Sequence, residues 1–315
     1  MEDTELEGTV IKSTGSWADV QSGDRVIPCR VRGKFRLERT EATNPIAVGD
    51  RVTVRLGAEE TGLIVEVHER KNKVSRRAAG RRVGHEQVLA ANVDIAWCIQ
   101  SVRNPNLNPG LIDRFLVVAE ACTIPAALVF NKVDLIEESF RDAVEYFGGL
   151  YTGLGYPVVY TSALMGDGVG TFRQAMQGKI NLIAGPSGVG KSALLNSVEP
   201  SLELKTGAVS EKTRKGKHTT THAALFSLNP STFVVDTPGM REFGIVDVDP
   251  AELSHHFVEF RPFLDECHFP NCSHDHEPGC AVRDAVEADR IAEDRYQSYL
   301  NILDSLRLGE KDVGR

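Results

Sequence analysis

Two nucleotide-binding motifs occur in this chain in an unusual order. The tetrapeptide NKVD at Asn131–Asp134 precedes the glycine-rich octapeptide GPSGVGKS at Gly185–Ser192. In ordinary GTPases the phosphate-binding loop comes first along the chain and the base-reading motif comes last. Because both motifs are intact, their order predicts a circularly permuted α/β P-loop domain, in which the chain enters the sheet at a different strand.

The octapeptide has the spacing of a phosphate-binding loop. It fits G-x-x-x-x-G-K-[S/T], follows the apolar segment KINLIAG and precedes a predicted helix at Lys191–Asn196. Glycines let the backbone turn its N–H groups inward, where they and the helix N-terminus attract phosphate oxygens. Lys191 is expected to bridge the β- and γ-phosphates, and Ser192 to offer its hydroxyl to Mg²⁺. The predicted phosphate-side contacts are Gly185, Pro186, Ser187, Gly188, Val189, Gly190, Lys191, Ser192 and Ala193.

The NKVD motif predicts that the base is guanine. The ionised carboxylate of Asp134 only accepts hydrogen bonds, so it suits the paired N1 and N2 donors of guanine, which adenine lacks. The triplet TSA at 161–163 is expected to complete the base pocket, but alone it also suits a plain strand-to-helix loop. GTP is favoured over ATP, with an ATPase as the minor alternative. The predicted guanine contacts are Asn131, Lys132, Val133, Asp134, Ser162 and Ala163.

A third motif, DTPG at 236–239, has the DxxG form of a γ-phosphate sensor and ends the strand-like segment TFVVD. Asp236 is expected to hold Mg²⁺ through water, and the Gly239 N–H to meet the γ-phosphate only while that group is present. Between the phosphate loop and DTPG, the threonine-rich segment SEKTRKGKHTTTH at 210–222 lies where a first switch belongs. Thr220 is the predicted ligand of Mg²⁺ and the γ-phosphate there.

The sequence identifies the residue that activates water less clearly than it identifies the nucleotide contacts. The position after DxxG is Met240, where many small GTPases carry a glutamine that orients the attacking water. Either hydrolysis is slow or another side chain substitutes. His218 is the nearest polar candidate, since histidine titrates in the useful range, and His222 is its rival. The residues therefore leave open a second class, a GTP-controlled RNA-binding protein in which hydrolysis is incidental.

The residues before these motifs predict a separate β domain. Short segments of alternating Val and Ile between turns run from Gly8 to Glu69, which is typical of a five-stranded OB-fold barrel. Such barrels bind single-stranded or irregular RNA, and a barrel that acts only as a spacer is the alternative. The run RKNKVSRRAAGRR at 70–82 holds seven basic residues and is predicted to be a basic linker. Candidate RNA contacts on the barrel are Lys34, Arg36, Arg39, Arg51 and Arg55.

The segment CHFPNCSHDHEPGC at 267–280 predicts a metal centre. Its spacing C-x4-C-x-H-x5-C gives three thiolates and one imidazole for a tetrahedral structural zinc. The predicted ligands are Cys267, Cys272, His274 and Cys280. His268 and His276 are alternative ligands, and a disulfide is the alternative to zinc. Helices are predicted on either side, at 251–264 and 282–308, so the region is expected to be α-helical.

Three domains are therefore predicted: an OB-fold barrel with its basic linker at 1–82, the circularly permuted GTPase domain at 83–246, and the zinc-binding region at 247–315. The net charge of −8 argues against indiscriminate coating of nucleic acid, because phosphate attraction supplies most non-specific affinity. Residues 1–15 do not resemble a signal peptide, because acidic residues dominate and no apolar segment follows. The apolar runs fall far short of the roughly 20 residues of a membrane span. We expect a cytoplasmic monomer without membrane contact.

Together these motifs resemble one family, the RsgA (YjeQ, YloQ) family of circularly permuted GTPases that depend on the small ribosomal subunit. The barrel, NKVD, TSA, GPSGVGKS, GKHTTTH, DTPGMREFG and the Cys3His segment follow that family's order over nearly the whole chain. The resemblance implies that the barrel and the zinc region contact 16S rRNA during late 30S maturation. It also implies slow hydrolysis of GTP to GDP that the 30S subunit stimulates, with His218 positioning the attacking water.

Overall fold

The computed structural model describes residues 5–32, 46–57, 61–77, 86–204, 224–236 and 248–308. Its first domain is a closed barrel of β1 (Glu5–Ser13), β2 (Trp17–Ser22), β3 (Arg25–Val31), β4 (Arg51–Leu56) and β5 (Gly62–Val67). The strands pair in the order β1-β2-β3-β5-β4, and β4 closes the barrel by pairing with β1. Val10, Val20 and Ile64 are among the apolar side chains that fill its interior. The predicted OB-fold barrel is confirmed.

The basic run after the barrel contributes to a two-stranded ribbon. β6 (Lys73–Arg77) pairs antiparallel with β7 (Glu86–Ala91). Val74 and Ala90 in these strands are buried in the core of the central domain, so part of the predicted linker is regular structure. Of the candidate cations on the barrel, Arg55 forms an ion pair with Glu5 at 2.8 Å and Arg51 is exposed. The candidates Lys34, Arg36 and Arg39 lie outside the described residues.

The second domain is a mostly parallel sheet flanked by helices. Its elements, in chain order, are β8 (Ile95–Ser101), α1 (Pro109–Ala121), β9 (Ala126–Asn131), α2 (Glu138–Gly153), β10 (Val158–Thr161), α3 (Val169–Met176), β11 (Ile180–Ala184), α4 (Lys191–Val198), β12 (Ala224–Asn229) and β13 (Thr232–Asp236). Every residue of β9 is buried, which explains its continuous apolar sequence. Separate apolar clusters cover the two faces of the sheet.

The strand order shows where the chain enters this sheet. It is β10-β9-β8-β11-β13-β12, with β12 antiparallel to β13 and the other neighbours parallel. The chain therefore starts in the middle at β8, moves outward through β9 and β10, and returns to β11 beside β8. The strand that precedes NKVD comes before the strand that precedes the phosphate loop, so the predicted permutation is confirmed. Ligands bind at the carboxyl ends of strands beside such a reversal.

The barrel and the central sheet are hydrogen-bonded to each other. β12 meets β1 antiparallel at one residue pair, Lys12 and Ala224. This pair joins the two domains into one sheet of 11 strands. The barrel is thus fixed to the edge of the central domain, on the side where the phosphate strand β11 and β13 lie.

The region that follows is helical but less regular than the sequence predicts. Two short 3-10 helices, Leu253–His256 and Arg261–Glu266, stand where one helix was predicted at 251–264, and that prediction is wrong. Pro262 has no N–H to donate and its ring clashes with a preceding turn, so an α-helix cannot run through it. Phe257, between the two 3-10 helices, packs into the core of this region.

The predicted helix at 282–308 is divided in two. α5 (Ala281–Glu287) and α6 (Glu293–Arg307) are separated by a turn in which Asp289 has a left-handed φ of 54°. Both helices pack in an apolar cluster with the two 3-10 helices, and Val117 of α1 belongs to the same cluster. Within the described ranges, no helix has the length and apolar character that crossing a membrane requires.

A buried ion-pair network also joins this region to α1. Arg295 of α6 is 1% exposed and pairs with Asp113 of α1 at 2.5 Å and with Glu259 at 2.6 Å. Tyr151 donates a hydrogen bond to Asp113 at 2.8 Å, and the guanidinium lies 4.6 Å from the ring centroid of Phe257. Burial raises the pKa of Asp113, and the charge of Arg295 opposes that rise. The carboxylates are tolerated inside because the guanidinium pairs with both.

Candidate nucleotide site and metal centre

The loop between β11 and α4 has the backbone shape of a phosphate-binding loop. Gly185, Gly188 and Gly190 have φ values of 141°, 83° and 95°, a region that side chains disfavour. A Cβ on Gly185 would lie 2.1 Å from the carbonyl oxygen of Ile99, and a Cβ on Gly190 would lie 2.5 Å from Nδ2 of Asn131. The loop therefore depends on glycine for both conformation and close packing against β8 and β9.

Lys191 begins α4 and turns its side chain back over the loop. Its ammonium donates to the carbonyl oxygens of Gly185 at 2.6 Å and Pro186 at 2.7 Å. A cation at the rim of a glycine loop is suited to phosphate oxygens. Val189 is fully buried and anchors the middle of the loop, whereas Ser187 is exposed. Ser192 and Ala193 lie in the first turn of α4, as the sequence predicts.

Gly185→Ala is expected to lower the affinity for GDP by about tenfold, because the new Cβ forces the loop away from Ile99 and displaces its N–H groups. Isothermal titration with GDP checks this result. Gly170→Ala is the matched control, since a Cβ at Gly170 meets nothing within 4 Å and lies in helix α3. Equal GDP affinity in the two variants would contradict the steric argument.

Asn131, at the end of β9, connects three segments of the site. Its Oδ1 accepts hydrogen bonds from Thr161 Oγ1 at 3.0 Å and from the Ala163 N–H at 3.3 Å. Its Nδ2 donates to the carbonyl oxygen of Val189 at 2.8 Å. Because Asn131 is 1% exposed, it ties NKVD, TSA and the phosphate loop together from beneath. The sequence predicted all three segments in one pocket, and the structure brings them together.

Lys132 is held on the other side of the pocket. It has a left-handed φ of 62°, and its ammonium donates to the carbonyl oxygen of Gly188 at 2.7 Å and to that of Asn104. Asn104 belongs to the segment after β8, which the sequence analysis missed. Its only signal is its position at the carboxyl end of a buried strand next to the phosphate strand.

Asp134 is exposed and its carboxylate is oriented by Ser162. The Ser162 hydroxyl donates to Oδ1 of Asp134 at 2.5 Å, and it accepts from the N–H of Met165 at 3.0 Å. Ser162 itself is fully buried, so its hydroxyl is fixed in place. The remaining lone pairs of the carboxylate suit a pair of N–H donors such as the N1 and N2 edge of guanine. Val133 forms the short 3-10 turn that carries Asp134.

The predicted magnesium ligands are described only in part. Ser192 lies at the start of α4, and Asp236 ends β13, which pairs in parallel with β11. The backbone thus places both positions at the same edge of the sheet, which fits a Mg²⁺ ion held by oxygen ligands. His218, Thr220 and Gly239 lie outside the described residues. Their roles remain predictions.

The four predicted zinc ligands come together at one point. The ligand atoms of Cys267, Cys272, His274 and Cys280 all lie within 4.8 Å of one another. Nδ1 of His274 is 3.6 Å from Sγ of Cys267 and 3.4 Å from Sγ of Cys280. Tetrahedral zinc with such ligands has edges of roughly 3.5 Å, so the cluster needs only a small contraction to hold the ion. The alternative candidate His276 is exposed and contacts Asp275 instead.

The surroundings of the cluster are compatible with a metal site. None of Cys267, Cys272 and Cys280 forms a disulfide. Burial raises the pKa of Cys272 to about 12 and that of Cys280 in the same direction, so binding of a metal ion to these thiolates would release protons. Tyr296 and Tyr299 of α6 donate to the carbonyl oxygens of His274 and Ser273 at 2.8 and 2.6 Å, and so fix the loop.

A glycine loop, an NKVD turn and a TSA turn meet at the carboxyl edge of one parallel sheet, in permuted chain order. This combination defines a circularly permuted P-loop GTPase, a GTP hydrolase. The chain belongs to the RsgA GTPase family: the model of the RsgA GTPase matches residues 67–246, and that of the RsgA N-terminal domain matches residues 7–64.

Relatives and solved structures extend the match over nearly the whole chain. The small ribosomal subunit biogenesis GTPase RsgA of Flavobacterium johnsoniae is 44% identical over 95% of this chain and 93% of its own. RsgA 2 of Bacteroides thetaiotaomicron, which carries the same description, is 43% identical over 97% and 98%. The crystal structure of YjeQ from Thermotoga maritima superposes with a TM-score of 0.80 at 36% identity, over 98% of this chain and 100% of that one. YloQ, described as a circularly permuted GTPase, gives a TM-score of 0.76 at 28% identity, over 98% and 97%.

Proposed function

We propose that this GTPase acts in the biogenesis of the small ribosomal subunit, and that the 30S particle stimulates its hydrolysis of GTP to GDP and phosphate. The relatives that match nearly end to end are described as small ribosomal subunit biogenesis GTPases. The observation that carries the GTP part is the Asp134 carboxylate, oriented by a buried Ser162 and tied through Asn131 to the phosphate loop. We also propose that the protein is a cytoplasmic monomer and that its three domains span residues 1–82, 83–246 and 247–315.

The mechanism assigns each part of the site a role. Asp134 accepts from the guanine edge, while Lys191 and the N–H groups of the glycine loop hold the β- and γ-phosphates. Ser192, Asp236 and Thr220 would hold a Mg²⁺ ion, which would neutralise charge on the phosphate oxygens. Thr220 and Gly239 contact the γ-phosphate and release it after cleavage.

His218 orients a water molecule in line with the bond between the γ-phosphorus and the β–γ bridging oxygen. The water oxygen bonds to phosphorus, the bridging oxygen leaves with GDP, and the water proton passes to the phosphate product or through the histidine. Met240 cannot take this part because its thioether has no hydrogen to donate. We infer that RNA contact is what brings His218 into place.

The charge distribution favours the barrel side as the RNA contact. Residues 70–77 contain five Lys and Arg and no acidic residue, although Arg70 is paired with the buried Asp50 at 2.6 Å. Residues 248–308 contain 13 Asp and Glu against five Arg and no Lys, and Arg295 is buried in ion pairs. Phosphate attraction dominates RNA affinity, so the ribbon and barrel are proposed as the main 16S rRNA surface.

The test is GTP turnover with purified 30S subunits, with 50S subunits as the control. We expect 30S alone to raise turnover by at least about tenfold, since a positioned acid–base group contributes that much or more. His218→Ala is expected to return turnover to near the unstimulated rate while GDP affinity is retained. Equal, slow turnover with either subunit and with none would instead favour the RNA-binding protein in which hydrolysis is incidental.

A further inference from the structure

The segment after β8 lies between the two halves of the nucleotide site. The Val102 N–H donates to the carbonyl oxygen of Asn131 at 3.0 Å, and the Asn104 carbonyl oxygen accepts from the Lys132 ammonium. Pro105 lies beside the phosphate loop, 3.6 Å from where a Cβ on Gly188 would stand. This segment contains no residue of the nucleotide-binding motifs, yet it contacts both of them.

The direction of the Asn104 carbonyl group depends on the backbone conformation of the loop from Ser101 to Pro105. Asn104 has a left-handed φ of 54°, a conformation that asparagine adopts more readily than most residues other than glycine. The Ser101 hydroxyl donates to the Pro105 carbonyl oxygen at 2.6 Å and closes the segment into a tight loop. A side chain that fixes this loop from outside therefore also fixes the Lys132 ammonium.

Arg103 is that side chain. Its guanidinium carbon lies 4.8 Å from the ring centroid of Phe140 in the first turn of α2. Its Nη1 is buried and lies within ion-pair distance of the partly exposed Glu137 carboxylate, although it forms no hydrogen bond among the described residues. Glu137 comes three residues after Asp134, at the end of the turn that carries the guanine-reading carboxylate. Arg103 thus connects the segment that holds Lys132 to the turn that presents Asp134.

We propose that Arg103 is a positioning residue for guanine recognition. It sets the Lys132 ammonium and the Asp134 carboxylate at a fixed separation on either side of the base. Arg103 acts through these neighbours and does not itself bind the nucleotide. The inference rests on the proposed reading of guanine by Asp134. Loss of Arg103 lets the turn after NKVD shift, so the contact of Asp134 with the guanine 2-amino group weakens more than the phosphate contacts do.

The experiment measures the affinities of GDP and inosine diphosphate, which lacks the 2-amino group, by titration calorimetry. Arg103→Gln is expected to lower GDP affinity about fivefold, the combined effect of a partly exposed ion pair and a cation–π contact. The affinity of this variant for inosine diphosphate changes less. The ratio of its GDP affinity to its inosine diphosphate affinity is therefore lower than in the wild-type chain. Arg103→Lys restores part of the ratio because it keeps the charge near Glu137.

Arg141→Gln is the matched control. Arg141 lies on α2 and pairs with Glu138 at 3.6 Å, but it is half exposed and contacts neither motif, so the nucleotide ratio is expected to be unchanged. If the wild-type chain does not prefer GDP to inosine diphosphate, guanine reading by Asp134 fails. If the wild-type chain has the preference and Arg103→Gln keeps it in full with an unchanged melting temperature, the positioning role of Arg103 is overturned.

Discussion

Arg295→Met is expected to destabilise the C-terminal region by about 3–5 kcal/mol, because it removes one partner of a buried charge network. The substitution leaves the carboxylates of Asp113 and Glu259 inside the protein, where Asp113 is 1% exposed, without their guanidinium. Hydrogen exchange of the α6 amides is the suitable measurement, since it reports opening of this region separately from the barrel. We expect protection in α6 to fall by a factor that matches this free energy.

Arg307→Met is the matched control on the same helix. Arg307 pairs with Asp275 at 2.9 Å, but both side chains are more than one third exposed, so the loss is expected to be below about 1 kcal/mol. The triple substitution Asp113→Asn, Glu259→Gln and Arg295→Met removes the buried charges together and is expected to recover much of the stability. Equal effects of Arg295→Met and Arg307→Met would show that the network contributes no more than a surface pair.

The loss of stability that Arg295→Met causes is also expected to depend on pH. Burial raises the pKa of Asp113 above its ordinary value even beside Arg295, and removal of the cation raises it further. A group whose pKa is raised by folding stabilises the folded state at low pH and loses that contribution as pH rises through the folded value. The deficit is therefore smaller in mildly acidic buffer than at neutral pH.

Removal of zinc is expected to have the largest effect on the C-terminal loop. Structural zinc sites contribute about 10–16 kcal/mol of apparent binding free energy, and in a short loop this is folding free energy. We expect the purified chain to hold one zinc ion and Cys280→Ala to hold none. Hydrogen exchange over 267–280 should then rise to the rate of an unfolded segment, while α6 keeps part of its protection through Phe257 and Tyr299.

Cys122→Ser is the matched control for this experiment. Cys122 is a partly buried cysteine at the end of α1 that forms no disulfide and does not belong to the four-residue cluster, so its replacement is expected to leave the zinc content unchanged. Elemental analysis gives the stoichiometry directly. Full zinc content in Cys280→Ala, or a chain without zinc under metal-replete expression, would contradict a Cys3His zinc site.

The sequence alone was sufficient to predict a structural feature wherever one residue pattern determines the local structure. Alternating Val and Ile predicted the barrel, apolar runs such as β9 predicted strands buried on both faces, and motif order alone predicted the permutation. The meeting of the four Cys and His residues followed from spacing, because they lie within 14 residues of one another, and the zinc ion itself stays a prediction. The individual strands and the Cys3His cluster depend on neighbours that are close along the chain, whereas the permutation was read from the order of two separate motifs.

The features that were missed depend on contacts between distant residues. Asp113 and Arg295 are 182 positions apart, and each alone resembles an ordinary charged residue on an amphipathic helix. Asn104 supports Lys132 through its backbone carbonyl, so its side chain gives no signal. The helix predicted at 251–264 failed because its apolar spacing suited a helix while Pro262 did not.

Helix α1 lies between two parts of the protein that carry different sequence motifs, the nucleotide site and the C-terminal region. The loop that leads into it contacts Lys132, and its own side chains Asp113 and Val117 are buried by the C-terminal region. The match to the RsgA GTPase model ends at residue 246. That limit does not coincide with a break in packing, because opening of the C-terminal region uncovers the helix behind the nucleotide site. We therefore expect a bound nucleotide and a metal ion in the Cys3His cluster each to stabilise, by mass action, the packing of the C-terminal region against α1.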